Sequence, residues 1–197
     1  MFNNLPTITR ALLLVNVGVY ILQQFVGNLL LALFALWPTG SRLFEPWQLV
    51  SYAFLHGNLS HIAFNMLALY MFGGPMERWL GSRRFTAYWF VCVVSAAAAQ
   101  LLVARVTGVD APTLGASGGI FGLLLAYAWY FPQQRLILLP IPIPMPAWLF
   151  VTLYGLAELI FGVTNTQNNV AHFAHLGGMV GGVVMLLYWR SRHGVPA

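Results

Sequence analysis

The scarcity of charged residues limits what this chain can fold into more than any other feature. Only 7% of its 197 residues are charged, whereas a soluble domain averages roughly 25%. Side chains at that density cannot cover a surface that faces water, and the mean hydropathy is +0.76. Lipid is therefore the solvent for most of the chain, and we expect an all-α membrane protein.

Six apolar stretches are candidates for membrane-spanning helices, which need ~20 mostly apolar residues each. They lie at residues 9–27, 59–73, 84–104, 115–131, 146–163 and 172–189. The second and fourth are short, so we expect their outer ends to stop below the bilayer surface. Between the fourth and fifth, PIPIPMP at 140–146 cannot be helix interior, because its alternate prolines lack N–H donors and fix φ. It predicts a stiff extended loop.

The connection between the first two helices, residues 28–58, is long. It contains LLLALFALWP, an apolar run too short to cross a bilayer. Loops of this length are usually functional or partly structured. We expect short helices in the outer leaflet, anchored by Trp37 and Trp47.

The placement of arginine predicts the orientation of the bundle, because positive charge accumulates on the cytoplasmic side. With the N-terminus inside, seven arginines lie on the inner side and two on the outer side. Both termini are therefore expected in the cytoplasm. Helices two, four and six then run from outside to inside, so their N-terminal ends lie at similar depth on the outer side.

Several classes of protein are excluded or disfavoured by composition. The pI near 9.8 is not a sign of nucleic-acid binding, because the arginines are scattered over short loops and form no basic stripe. The single cysteine, Cys92, excludes an intrachain disulfide and a cysteine-based metal cluster. We expect no metal and no cofactor, since no HExxH motif occurs. The N-terminal residues show no cleavage pattern of a signal peptide.

The motif GASGGIFG at 115–122 opens the fourth helix, with Ser117 where the chain enters it. Gly118 and Gly122 form GxxxG, which by itself is most simply a packing motif between membrane helices. The segment also fits the G-x-S-x-G nucleophile elbow of α/β hydrolases. That fold needs a soluble sheet, which the composition forbids.

The motif AHFAHLGGMVGG at 171–182 opens the sixth helix. His175, Gly178 and Gly182 lie at i, i+3 and i+7, on one helix face. If the glycine faces of helices four and six meet, Ser117 and His175 come within hydrogen-bond reach, as a base-activated nucleophile requires. His172 is the rival base, but it lies one turn nearer to water and lacks a glycine at i+3.

HIAFN at 61–65 places two polar side chains on one face early in helix two. His61 and Asn65 are separated by four residues and can both donate hydrogen bonds to a developing oxyanion. An alternative is that they form interhelical hydrogen bonds that hold the bundle together. The pair by itself does not distinguish these two roles.

Together with FGGPMERWLGSRRF at 72–85, these motifs resemble the rhomboid family of intramembrane serine proteases, over nearly the whole chain. The resemblance implies that residues 1–197 form a single six-helix transmembrane domain in the bacterial inner membrane. It implies a Ser–His dyad without an acid and without a cofactor, and a substrate that is a transmembrane segment of another protein, cleaved near its outer end. The residues that match the family's site are nucleophile Ser117, base His175, oxyanion residues His61 and Asn65, and packing residues Gly115, Gly118, Phe121 and Gly178.

Three departures from the family pattern accompany the resemblance. Trp47 is followed by Gln48 instead of arginine, so anchoring of the first loop through an arginine is in doubt. Phe121 stands where some members have tyrosine, and its ring can pack on His175 without offering a hydroxyl. The cytosolic domain of some bacterial members is not expected here.

Two acidic residues need partners in this interpretation. We expect Glu77 to pair with arginines on the inner side. Glu158 lies in helix five, where an ionised group costs roughly 2.5–3.5 kcal/mol on insertion scales, so it must meet water or a partner or stay protonated. We favour a role in lining an aqueous cavity or bracing helix five over a role as a third catalytic member. Two other functions remain as alternatives. A pseudoenzyme is disfavoured because both Ser117 and His175 are present, and a transporter is disfavoured because the spans contain so little charge.

Overall fold

Helices make up most of the described structure, a computed structural model that covers residues 4–138, 141–164, 166 and 170–193. Two irregular turns interrupt the regular helices, a 3-10 turn at Tyr52–Phe54 and a π-helical turn at Leu69–Gly73. The elements in chain order are α1 Thr7–Phe34, α2 Gln48–Ser51, α3 Leu59–Ala68, α4 Gly74–Leu80, α5 Ser82–Thr107, α6 Ser117–Tyr130, β1 Arg135–Leu138, β2 Ile141–Pro146, α7 Ala147–Val163 and α8 His172–His193.

Three helices in the described ranges are long and apolar enough to cross a membrane by length and composition: α1, α5 and α8. α6 and α7 are apolar but shorter, with 14 and 17 residues. α8 lies at the centre of the bundle, where it packs against α5, α6 and α7. Two fully buried tyrosines of this core have hydrogen-bonded hydroxyls, since Tyr88 Oη donates to the carbonyl of Gly122 and Tyr52 Oη donates to that of Val93, each at 2.8 Å.

The first helix is kinked close to its predicted end at residue 27. α1 runs from Thr7 to Phe34, but Val26 has the non-helical angles φ −131° and ψ 34°, so two helical parts meet at this residue. The apolar run that we expected to form a short helix is the part beyond the kink. An apolar run without proline or glycine gives the helix no reason to stop before Pro38, and the helix ends only a few residues before it.

The second helical segment is also longer than predicted. α3 passes through the π-helical turn directly into α4, so the helical run reaches Leu80 and the prediction of a short second helix is wrong. Pro75 does not stop the run because it occupies the first turn of α4, where the missing N–H is not needed. The run ends at Gly81, whose φ of +76° is a conformation that glycine adopts readily.

The proline-rich segment is extended, as predicted, in its described part. Residues 141–146 form β2, which pairs antiparallel with β1. The pattern of the sequence did not predict this pairing. Pro140, the first residue of the predicted loop, lies outside the described residues.

The long connection before α3 contains two short helical turns, α2 and Tyr52–Phe54. Hydrogen bonds of the Gln48 side chain hold this segment against the end of α1. This side chain is fully buried, accepts a hydrogen bond from the N–H of Trp37, and donates to the carbonyls of Leu43 and Leu33. The indole N–H of Trp47 also donates to Leu33, at 2.8 Å. A neutral amide thus holds the loop through hydrogen bonds at the position where the family often has arginine.

Glu77 does not pair with arginine, contrary to the prediction. Its carboxylate accepts hydrogen bonds from the backbone N–H groups of Ile8 and Thr9 and from the hydroxyls of Thr9 and Ser82. The first N–H groups of a helix lack partners within the helix, and the N-terminal end carries partial positive charge. Glu77 therefore caps α1 from a different helix and ties α1 to α4, which is why a carboxylate is tolerated at 1% exposure.

Candidate active site

The turn before α6 is held in place by three backbone hydrogen bonds. Leu36 and Thr113 exchange two of them, each 2.9 Å long, and Gly115 donates a third to the carbonyl of Tyr52. Gly115 has a φ of +127°, which strongly favours glycine. The chain then enters α6 with Ser117 as its first residue, half-buried at the helix start.

The structure brings Ser117 and His175 together. Nε2 of His175 lies 2.7 Å from Oγ of Ser117, although the residues are 58 positions apart in the sequence. The imidazole is 8% exposed, and the ring of Phe121 stacks on it with centroids 4.2 Å apart and an interplanar angle of 8°. His172, the rival base, contacts Glu158 and Thr166 instead. The arrangement matches the assignment of His175 as the residue paired with the serine.

The approach of α6 and α8 depends on a contact between two glycines. A Cβ at Gly178 would collide with the carbonyl oxygen of Gly118, so no larger residue fits there without displacement. Gly182, on the same face of α8, lies between α6 and α5. A Cβ at Gly182 would collide with the hydroxyl of Tyr88 on α5 and approach Leu125 of α6 at 3.2 Å.

We predict that Gly178→Ala lowers the rate of peptide cleavage by on the order of 10²-fold, because the added methyl group pushes α8 away from α6. A shift of about 1 Å in a catalytic pair can have an effect of this size. The melting temperature should fall as well. The matched control is Gly18→Ala on α1, since a Cβ at Gly18 would meet no described atom within 4 Å. Normal activity in Gly178→Ala would contradict the close-contact argument.

His61 and Asn65 lie beside the turn that leads to Ser117. A Cβ built on Gly115 would be 2.7 Å from Nε2 of His61 and 3.7 Å from Nδ2 of Asn65. Asn65 is 7% exposed, and its Nδ2 has no hydrogen-bond partner among the described residues. An unpaired buried amide is costly, so a donor in this state next to a serine is available for an oxyanion.

The local hydrogen bonds of α3 orient His61. The side chain of Asn58 caps α3 by accepting a hydrogen bond from the N–H of His61 at 2.8 Å. The N–H of Gly57 donates weakly to Nδ1 of His61 at 3.5 Å, which leaves Nε2 as the protonated nitrogen of a neutral ring. Nε2 is the atom nearest to the Gly115 turn, so His61 presents a donor on that side.

His56 is a neighbour of the site that sequence reasoning missed. Its ring packs edge-on against His61, with centroids 5.0 Å apart, and is 2% exposed. Burial, followed by the nearby His61, lowers the pKa of His56 to about 4, so the ring is neutral at physiological pH. Residues 56 and 61 lie on opposite sides of the start of α3, and no helical spacing relates them.

The contacts of Glu158 are a second feature of the site that the sequence did not predict. Oε2 of Glu158 lies 2.8 Å from Nδ1 of His175 and 2.7 Å from Nδ1 of His172, and the residue is 5% exposed. The carboxylate therefore meets two histidines, whereas we expected it to line a wet cavity or brace the helix. The Glu158, His172 and His175 side chains offer three potential metal-ligand atoms within 4.8 Å of one another.

The side-chain arrangement is suited to acyl transfer. A hydroxyl is hydrogen-bonded to an imidazole, as a base-activated nucleophile requires. The first N–H groups of α6 have no partner within the helix, and donors from His61 and Asn65 lie on the same side of the turn. Nucleophile, base and oxyanion donors thus come from three separate helices: α3, α6 and α8.

Comparison with known proteins identifies the family of the chain. The Rhomboid domain matches residues 43–192. Rhomboid protease GlpG from Serratia proteamaculans is 31% identical over 193 residues, which cover 94% of this chain and 63% of the relative. Rhomboid protein 1, mitochondrial, from Saccharomyces cerevisiae is 30% identical over 139 residues, which cover 70% of this chain and 40% of the relative.

A second bacterial relative extends the same likeness. Rhomboid protease GlpG from Klebsiella pneumoniae is 28% identical over 194 residues, covering 93% of this chain and 63% of the relative. The chain thus spans about 63% of the length of these bacterial relatives. The domain match covers most of the chain and includes Ser117, His175, His61 and Asn65. The chain is an integral membrane protein that belongs to the rhomboid family.

Proposed function

We propose that this chain is an intramembrane serine endopeptidase that cleaves transmembrane segments of other membrane proteins near their outer ends. The observation that carries the proposal is the 2.7 Å hydrogen bond between Ser117 Oγ and His175 Nε2. Membership of the rhomboid family supports it, as do two bacterial relatives named rhomboid proteases.

In the proposed mechanism, Oγ of Ser117 attacks the carbonyl carbon of the scissile peptide bond while Nε2 of His175 takes the hydroxyl proton. The carbonyl oxygen becomes an oxyanion, stabilised by backbone N–H groups at the start of α6 and by His61 and Asn65. His175 then gives its proton to the leaving amine, and the C–N bond breaks. In the second half of the reaction His175 takes a proton from water, and the water oxygen attacks the acyl carbon. The bond from that carbon to Ser117 Oγ then breaks, and His175 gives its proton to Oγ.

The substrate must expose a carbonyl before this attack. A transmembrane helix holds its carbonyls in internal hydrogen bonds, so the substrate has to unwind locally near the scissile bond. Glycine and proline in the substrate lower the cost of unwinding, because they weaken a helix. Water must also reach Ser117, and the partial exposure of this residue supports access from one side of the bundle.

The proposed topology is a single domain of six membrane-spanning segments, residues 1–197, in the bacterial inner membrane with both termini in the cytoplasm. The distribution of arginine supports this orientation. Ser117 begins α6 and His175 lies in the first turn of α8. In this topology both helices run inward, and their starts lie toward the outer side of the membrane, where the substrate is to be cut.

A fluorophosphonate probe tests whether Ser117 is an activated nucleophile. We expect the detergent-solubilised full chain to be labelled covalently at Ser117, and Ser117→Ala to show no labelling at an unchanged melting temperature. Mass spectrometry of the labelled peptide identifies the modified residue. Labelling at a different residue, or equal labelling of the wild type and Ser117→Ala, would refute the proposal.

A further inference from the structure

Glu158 contacts the proposed base on the side opposite the serine. Nδ1 of His175 lies 2.8 Å from Oε2 of Glu158, while Nε2 of the same ring lies 2.7 Å from Ser117 Oγ. The carboxylate reaches the ring from α7, whereas the other two groups belong to α8 and α6. We infer that Glu158 is a positioning residue that completes a Ser117–His175–Glu158 triad, in place of the dyad without an acid that the family resemblance implies.

The two contacts of His175 define the protonation that catalysis needs. To accept the serine proton, Nε2 must be unprotonated, and a neutral imidazole then carries its hydrogen on Nδ1. A carboxylate at Nδ1 accepts this hydrogen and disfavours the opposite tautomer, in which Nε2 would be blocked. Glu158 therefore selects the reactive tautomer and fixes the plane of the ring. This inference rests on the proposed protease function.

The carboxylate also acts after proton transfer. When Nε2 takes the proton from Ser117, His175 becomes an imidazolium, and its positive charge lies next to Glu158. In serine hydrolases an acid at this place stabilises the imidazolium without itself being protonated. Because Glu158 is 5% exposed, little water screens this interaction.

His172 is a second hydrogen-bonding partner of the buried carboxylate. Its Nδ1 lies 2.7 Å from the same Oε2 of Glu158, and its Nε2 lies 2.9 Å from the carbonyl oxygen of Thr166. The imidazole of His172 thus lies between the carboxylate and a backbone carbonyl oxygen, and it contacts both. The contact between Glu158 and His172 helps to hold the carboxylate in place for His175.

A metal ion is the competing use of the same three side chains. In a tetrahedral zinc site with bonds of 2.0–2.1 Å, the ligand atoms lie about 3.3 Å from one another. Here Oε2 is only 2.7 and 2.8 Å from the two imidazole nitrogens, which are hydrogen-bond distances. A metal on Nδ1 of His175 would also displace the hydrogen that the triad needs, so the geometry favours the triad.

The test compares Glu158→Gln and Glu158→Asp with the wild type on a transmembrane reporter substrate. Glu158→Gln keeps the shape but removes the charge, and we expect kcat to fall about 10²- to 10⁴-fold with KM unchanged. Glu158→Asp keeps the charge and should recover part of the loss. An unchanged kcat in Glu158→Gln, or no gain of Asp over Gln, would overturn the inference.

A control variant separates positioning from simple bracing of α7. Val151 is buried on the same helix two turns before Glu158, and Val151→Ala should lower the melting temperature while kcat stays normal. If Val151→Ala lowers kcat as much as Glu158→Gln does, displacement of α7 explains the effect and the triad is refuted. Loss of wild-type cleavage on adding a chelator, restored by Zn²⁺, would refute it in favour of a metal site.

A measurement on the wild-type protein tests the inference even if the Glu158 variants fail to fold. Nitrogen-15 NMR of the imidazole rings, with His175→Ala to assign the signal, should find Nδ1 of His175 protonated and Nε2 unprotonated. The opposite tautomer would overturn the inference. Failure of the proposed function itself is distinguishable, because the wild type would then neither cleave the reporter nor react with a fluorophosphonate at Ser117.

Discussion

His175→Ala is expected to reduce cleavage of a transmembrane reporter by on the order of 10⁴-fold or more, the range found when the base of a serine protease is removed. The reason is that Ser117 Oγ has its 2.7 Å hydrogen bond to this ring, and no other base is assigned to it. The measurement is kcat of the purified variant, with the melting temperature as a test of folding.

His172→Ala is the matched comparison for this loss. His172 lies one turn away and contacts Glu158 but is not paired with the serine. We expect a smaller decrease in kcat, because only the support of the carboxylate is removed. Near-normal activity of His175→Ala together with loss of activity in His172→Ala would show that the assignment of the base is wrong.

The combined His61→Ala and Asn65→Ala variant is expected to lose ~10²–10³-fold in kcat, the effect typical of removing an oxyanion donor. Each single change should cost less, because the remaining donor still faces the turn at Gly115. Ser117 should still react slowly with a fluorophosphonate, since the nucleophile and base are intact. Both kcat and the melting temperature have to be measured on the same purified protein.

The alternative role for this pair makes a different forecast. If His61 and Asn65 only hold the bundle together, the double variant loses thermal stability and the remaining folded protein keeps its kcat. Nδ2 of Asn65, which has no partner in the described part of the chain, argues against that role. Asn16→Ala is a suitable control, because Asn16 is a fully buried asparagine on α1 whose amide donates to Leu12. It should lower the melting temperature and leave kcat unchanged.

The helix starts were predictable to within a few residues. α6, α7 and α8 begin at residues 117, 147 and 172, against predicted starts of 115, 146 and 172. The reason is local, since Pro146 and the glycine-rich motifs mark helix entry in the chain itself. The main error lies at the end of the second segment, where the helical run passes Pro75. A π-helical turn and a proline in a first turn are compatible with continuation, and composition alone does not reveal either.

By itself, the sequence determined that the chain lies in lipid, that it is helical, and which residues are candidates for the active site. Too few charges force the chain into lipid, and residues spaced by three, four or seven positions share a helix face whatever the rest of the fold does. His175 with Gly178, and His61 with Asn65, were therefore recognisable as pairs. The proposal that Ser117 meets His175 needed one further step, the matching glycine faces of their helices.

Other contacts between helices have no matching sequence pattern on the two helices, and only the tertiary structure shows them. Glu77 caps α1 and does not pair with arginine, Gln48 fastens the first loop, and Glu158 reaches His175 from α7. Hydrogen bonds of this kind depend on the rotation and depth of each helix in the bundle, which are set by close packing. Spacing along one helix carries no information about either quantity, so the third member of the proposed triad could only be found in the folded protein.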